Sequence, residues 1–225
     1  MLHTRDLSKG FRHGDSFTPA LINVNVDIGK GEFVSVVGPS GCGKSTLMEI
    51  MGLLEAPDKG EVYFLGQEVG SLSDKERLMI RRGKIGYLFS DFELIEDLSV
   101  ANNIEIPLIY NGLSRKERKL RIEEVIARYR LNHLRRERVS ELPGLQQQIV
   151  SLARSVSYRP SVLLADEPTS RLNSIGSSEI FDMLSQVNED GMTVVLFTNS
   201  TQDAQRAQRM VQLFDGHVVN VTSQH

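Results

Sequence analysis

The chain has 225 residues, 40% of them hydrophobic and 24% charged, with a formal net charge of −3 and a single cysteine, Cys42. That length holds one large domain, or one domain carrying a subdomain, and it can bury a sizeable core. The mild acidity gives no global reason to expect nucleic acid, whose binders carry a basic surplus, and one cysteine excludes an internal disulfide and suits a reducing cytosol.

Residues 20–28, Ala-Leu-Ile-Asn-Val-Asn-Val-Asp-Ile, alternate apolar and polar and predict a half-buried strand of antiparallel, edge type. Residues 32–37 form a more continuous apolar run that feeds a glycine-rich loop, and a helix is expected over about 44–54. Pro57-Asp58-Lys59-Gly60 is turn chemistry, and a strand resumes over 61–65. Ser73 stands three residues before Glu76, a capping-box signature that predicts a helix to position 82, ahead of a strand over 85–89. Ser114 and Glu117 repeat the signature and open a helix to about 130. That helix belongs to a mostly helical segment, roughly 99–158, which interrupts the strand-bearing halves. Beyond Pro160, strand 162–165, helix 174–188 and strands 193–197 and 210–214 restore an alternating α/β pattern. Asp215-Gly216 is a hairpin turn.

No apolar run reaches the length of about 18 residues that a membrane span requires, and the first residues lack a signal-type stretch. Any membrane link is expected to run through another protein. Histidines 3, 13, 133, 217 and 225 lack the short pairings of zinc sites, so no structural metal is expected. Between positions 115 and 138, ten Lys or Arg outnumber four Glu. This excess fits a solvated helix face, with anionic lipid headgroups or an acidic partner as the alternative.

Phosphate binding needs backbone N–H groups aimed at one point, glycines that permit the curl, and a helix N-terminus whose dipole favours negative charge. Gly38-Pro39-Ser40-Gly41-Cys42-Gly43-Lys44-Ser45-Thr46 supplies all three between an expected strand and an expected helix. Lys44 is expected to reach the β- and γ-phosphates of ATP, and the Ser45 hydroxyl to ligate Mg²⁺. Cys42 invites a redox reading, because helix N-termini favour thiolates, but a small filler in a crowded loop is the plainer role. Val162-Leu163-Leu164-Ala165-Asp166-Glu167 reads as a buried strand ending in two carboxylates, expected to lie beside the strand that feeds the glycine loop. Asp166 would hold the metal through water, and Glu167 would polarise the attacking water.

These motifs, with segments 33–46, 81–107 and 162–169, resemble the ABC-transporter ATPases of the lipoprotein-releasing, macrolide-efflux and cell-division subgroup. The resemblance covers nearly the whole chain. It implies an α/β fold: a phosphate-loop core (about 1–88 and 160–225) with an antiparallel β subdomain, and an inserted helical subdomain (about 89–159), in one domain spanning 1–225. It further implies ATP and Mg²⁺ as ligands, a homodimer or heterodimer that sandwiches ATP, an integral-membrane permease as partner, and a cytoplasmic place on the inner face of the membrane. Phe11 would stack on the adenine ring, with a buried core phenylalanine as the alternative. Phe89 to Asp97 and the helical segment would form the groove that docks the permease.

Four motifs depart from the family pattern. Ser90 stands where a Gln usually touches metal and water. The signature Leu-Ser-Gly-Gly-Gln reads Leu142-Pro143-Gly144-Leu145-Gln146, so Pro143 offers neither hydroxyl nor N–H and Leu145 crowds a site of close backbone approach. Arg171-Leu172-Asn173 replaces Ala-Leu-Asp, and Asn199 replaces a His that senses the γ-phosphate. The expectation is ATP binding with little turnover. The alternatives are a working transport ATPase completed by Arg171 or a partner, and a soluble ATP switch outside transport.

Overall fold

The computed structural model describes residues 1–14 and 16–223. Asp15, Gln224 and His225 lie outside the described residues, and with them the last of the scattered histidines and the final positions of the expected 1–225 domain.

In chain order the elements are β1 (Leu2–His13), β2 (Ser16–Ile28), β3 (Phe33–Val37), α1 (Lys44–Met51), β4 (Lys59–Phe64), β5 (Gln67–Glu68), α2 (Asp74–Arg81), β6 (Ile85–Leu88), α3 (Val100–Tyr110), α4 (Arg115–Arg128), α5 (Gly144–Val156), β7 (Val162–Asp166), α6 (Ser174–Glu189), β8 (Thr193–Thr198), α7 (Thr201–Ala204), β9 (Arg209–Phe214) and β10 (His217–Ser223). Both capping boxes form. Ser73 caps α2 and Ser114 caps α4, each receiving the N–H of the Glu three residues on while that Glu accepts the cap residue's own N–H. α1 stops at Met51 rather than near 54, because the chain turns left-handed at Leu53 (φ 58°). β4 starts at Lys59, inside the stretch read as a turn.

β1 was not expected, and its register explains why. Asp6 takes a left-handed φ of 47°, and the pairing with β2 shifts between Thr4 and Leu7. The buried positions therefore run Leu2, Thr4, Leu7. A bulge breaks the two-residue period on which strand reading relies.

The chain divides into two compact units, residues 1–82 with 185–225, and residues 83–184. In the first, β2-β1-β4-β5 form an antiparallel sheet with β2 at one edge. β3 runs parallel between β8 and β9, and β10 closes a hairpin on β9. All five residues of β3 are buried, as in a parallel strand covered on both faces. Its one polar side chain, Ser35, donates to the Ala204 carbonyl at 2.9 Å. The Asp215-Gly216 turn has φ of 45° and 76°, and Phe214 faces His217 across it. This is the two-residue hairpin that Asp-Gly favours.

In the second unit β6 and β7 pair in parallel, Ile85 opposite Val162 through Leu88 opposite Ala165. α3 packs on α4 and α5. Asn103, fully buried in α3, ties down the preceding loop: it accepts from the Ile95 N–H (2.9 Å) and donates to the carbonyls of Ile95 (3.1 Å) and Ser99 (3.2 Å). The basic run over 115–138 resolves partly into ion pairs, Arg118–Glu105, Arg121–Glu124 and Arg135–Glu123, which favours the solvated-face reading. One expectation is corrected. Both edges of β3 are taken by β8 and β9, so β7 is not its neighbour; a buried apolar run reveals a strand but not its place in the sheet.

A candidate nucleotide-binding site

The first unit carries the glycine loop between β3 and α1 in the expected order. Its curl depends on glycine at two points. A Cβ at Gly38 would lie 2.6 Å from Cys42 Sγ and nearer still to the Leu213 carbonyl. Gly43 has φ 105°, and a Cβ there would meet the Ala20 carbonyl and Leu21 Cδ2 at 2.8 Å. No side chain caps α1 and no acidic residue stands in its first turn, so its leading amides and positive dipole end suit an anion. Ser40, Gly41 and Ser45 are exposed and Thr46 is half-buried.

Lys44 is nearly buried, and its Nζ donates to the carbonyls of Gly38 (2.8 Å) and Pro39 (3.1 Å), which aims the ammonium across the loop. Cys42 is buried at 4% exposure against Gly38, as a filler would be and as an accessible thiol would not. The loop's first N–H, on Gly38, donates to the Thr198 carbonyl at 3.3 Å. That bond places Asn199, the next residue, exposed beside the loop. Sequence reading missed α7, whose cap is Ser200. The Ser-x-x-Asp spacing there was a signal, but a four-residue helix carries no periodicity.

Phe11 sits on β1 opposite Thr18 of β2, two residues along that strand from Ala20, whose carbonyl stands over Gly43. It is 37% exposed, which removes the core alternative. Lys9 Nζ lies 5.6 Å from its ring centroid.

The second unit carries Asp166, Glu167 and the 142–146 segment. β7 delivers Asp166 and then Glu167, both half-buried, with Glu167 at a left-handed φ of 45°. Gln148, fully buried on α5, donates through Nε2 to the Phe89 carbonyl (3.2 Å) and the Pro168 carbonyl (2.6 Å). It thereby joins the residue before Ser90 to the residue after Glu167. This link went unread, because a Gln inside an apolar helix face carries no local signal. Ser90 is half-buried, and the loop after it is held by α5: Ser151 Oγ donates to the Phe92 carbonyl (2.8 Å), and Arg154 to the carbonyls of Glu93 (2.5 Å) and Phe92 (3.1 Å).

Pro143 is the N-cap of α5, without a side-chain capping bond, and both it and Gly144 are exposed. Leu145 and Gln146 are half-buried, and Leu145 leans on Gly176, where a Cβ would lie 3.4 Å from its Cδ1. Asn173 caps α6, its Oδ1 accepting the Gly176 N–H at 2.9 Å.

A family model described as ABC transporter matches residues 21–170, and the chain belongs to that family, as one of its ATP-binding subunits. It is 36% identical over 225 residues to an uncharacterised ABC transporter ATP-binding protein of Methanocaldococcus jannaschii, covering 98% of this chain and 99% of that one. It is 38% identical over 219 residues to the macrolide export ATP-binding/permease protein MacB of Escherichia coli, covering 97% of this chain but 34% of that protein. The chain thus spans about a third of the macrolide exporters it matches. Among solved structures, a dimeric ATP-binding cassette in a post-hydrolysis state bound to ADP and Pi superposes with a TM-score of 0.91 at 38% identity, covering 100% of this chain and 99% of that one. The family binds ATP with Mg²⁺ as its usual partner, and the tight glycine loop, uncapped helix and aimed Lys44 fit a polyphosphate. No helix among the described residues is long and apolar enough to cross a membrane.

Proposed function

We propose that this chain is the ATP-binding subunit of a membrane transport complex and that it captures ATP firmly but turns it over slowly. The amides of 38–46 and Lys44 hold the phosphates, Ser45 and Asp166 hold Mg²⁺, and Phe11 carries the adenine. Held there, Mg²⁺ would supply charge neutralisation at the phosphoryl group. Glu167 polarises the attacking water. The partner is an integral-membrane permease, which seats against the loop of residues 89–97 and the helices beside it and keeps the subunit peripheral on the cytoplasmic face. A second ATP-binding subunit, identical or not, completes the assembly; the dimeric relative supports this.

The observation that carries slow turnover is Pro143 at the head of α5, a residue with no N–H and no side-chain donor at the start of the signature helix. Removing one preorganised donor to a transition state costs roughly 100- to 1,000-fold in rate, and Ser90 and Asn199 compound the change. The test is steady-state hydrolysis by the purified chain beside Glu167→Gln. Expected is ATP binding in both, with Glu167-dependent turnover well below about 1 per second, the lower end of ordinary enzyme rates. Turnover at or above that rate in the wild type, lost in Glu167→Gln, overturns slow turnover. It favours the second reading, a working transport ATPase in which Arg171 or the partner supplies the missing contacts.

A further inference from the structure

The strand that carries Phe11 is tied to the segment following the phosphate-binding helix by contacts that the nucleotide motifs leave unexplained. Beyond α1 the chain returns against β1 through Glu55, Ala56 and Asp58. There Lys9 Nζ donates to Glu55 Oε1 (2.9 Å) and to the Ala56 carbonyl (2.9 Å), and lies 3.4 Å from Asp58 Oδ1. The Gly10 N–H donates to Asp58 Oδ2 (2.8 Å), and the Asp58 N–H to the Ser8 carbonyl (3.0 Å). The Lys9 side chain is only 11% exposed, while Phe11 beside it keeps 37%. A lysine so covered is rare unless its charge is paired.

The same ammonium lies within the reach of about 6 Å at which a cation is attracted to an aromatic face. An ammonium anchored there stands over one side of the ring and restrains it, while Phe11 keeps 37% of its surface open. A ring held in its binding orientation loses less entropy when a ligand arrives. Burial alone would lower the Lys9 pKa, but the hydrogen bond and charge of Glu55, joined by Asp58, outweigh it and raise the value, so the cation persists across the neutral range.

We propose that Lys9 is a positioning residue of the nucleotide site: anchored by Glu55, Ala56 and Asp58, it covers one face of Phe11 and presents the other to adenine. The segment after the phosphate-binding helix thereby sets where the base platform stands. This rests on Phe11 being the adenine platform.

The test compares Mg-ATP with magnesium tripolyphosphate, which has phosphates but no base, by calorimetry on the full chain. Lys9→Met is expected to weaken ATP about 3- to 10-fold, the scale of one cation–π contact, and to leave tripolyphosphate unchanged. Lys9→Arg should recover most of the loss. Phe11→Ala should lose ATP affinity selectively, and Lys9→Met added to it should have no further effect. Equal loss for both probes means that Lys9 merely holds the fold, and overturns the proposal. So does an ATP affinity unmoved by Lys9→Met, or a full additive loss in the double variant. If Phe11→Ala itself leaves the ATP-to-tripolyphosphate ratio unchanged, the adenine reading of Phe11 fails, and the role of Lys9 with it.

Discussion

The Gly216 N–H donates to the Cys42 carbonyl at 3.0 Å, and the Gly216 carbonyl accepts from the Ile22 N–H at 2.8 Å. The β9–β10 turn is thus a brace between the glycine loop and β2. Gly216 has φ 76°, and a Cβ there would lie 3.0 Å from the Ala20 oxygen. An alanine in the left-handed region costs about 1–2 kcal/mol, and here its Cβ presses on Ala20, whose carbonyl stands over Gly43 of the glycine loop. Gly216→Ala is expected to lower stability by about that amount in urea titration and to weaken ATP several-fold by calorimetry. An unchanged ATP affinity would show that the brace does not shape the loop.

Lys44→Ala removes the ammonium aimed across the loop. Charge-assisted hydrogen bonds are worth roughly 1.5–3 kcal/mol each, so ATP affinity should fall about 10- to 100-fold. Of the two carbonyls it leaves, that of Pro39 is on an exposed residue and that of Gly38 on a half-buried one, so water can replace the ammonium and thermal stability should move little. A melting temperature that dropped with affinity would make Lys44 structural instead.

Gln148→Leu leaves the Phe89 and Pro168 carbonyls without their donor, each at a cost of roughly 1–3 kcal/mol. It also removes Gln148 Oε1, a buried acceptor with no partner, which offsets part of that. A net loss of about 1–3 kcal/mol is expected in denaturant unfolding. A neutral result would mean that water replaces the amide.

Pro143→Ser together with Leu145→Gly restores a hydroxyl, an N–H and close backbone approach at the head of α5. ATP-dependent dimerisation, followed by light scattering with Glu167→Gln in the background, should rise. Stability should fall by about 1–3 kcal/mol, because Leu145 loses its packing on Gly176 and a glycine enters a helix. Unaltered self-association would locate the block elsewhere.

The capping boxes give a pH dependence with a definite sign. Hydrogen bonds from Ser114 hold the Glu117 carboxyl below its ordinary 4.5, and those from Ser73 do the same for Glu76. A depressed carboxylate contributes stability that is complete above the unfolded value and is lost as pH falls through the folded one. Ser114→Ala is expected to cost about 1 kcal/mol at pH 7, and the gap to wild type should narrow below pH 4.5. A gap constant with pH would show that the cap acts through its hydroxyl alone.

Much of the core was legible because its signals are local. Four consecutive buried residues at 162–165 can only be an enclosed strand or helix, and their length and flanks decide for strand. Ser114 and Glu117 find each other within one helical turn whatever surrounds them. The glycine loop is readable for the same reason, since its glycines and Lys44 stand close together in the chain, although the backbone that crowds Gly38 and Gly43 comes from Leu213 and Ala20.

What stayed hidden depends on long-range pairing. The bulge at Asp6 disguised β1, the place of β7 away from β3 follows from which strands fill the edges of β3, and Gln148 gains meaning only from carbonyls 59 and 20 residues away. The sequence alone determined the chemistry available: a glycine loop with Lys44, two carboxylates after a strand, and a helix begun by Pro143. Only the tertiary structure decided what supports that chemistry, including the Gly216 brace beneath Cys42 and the Lys9 anchor beside Phe11. Both are made by backbone and side-chain groups that folding brings together from distant positions, and no local pattern records them.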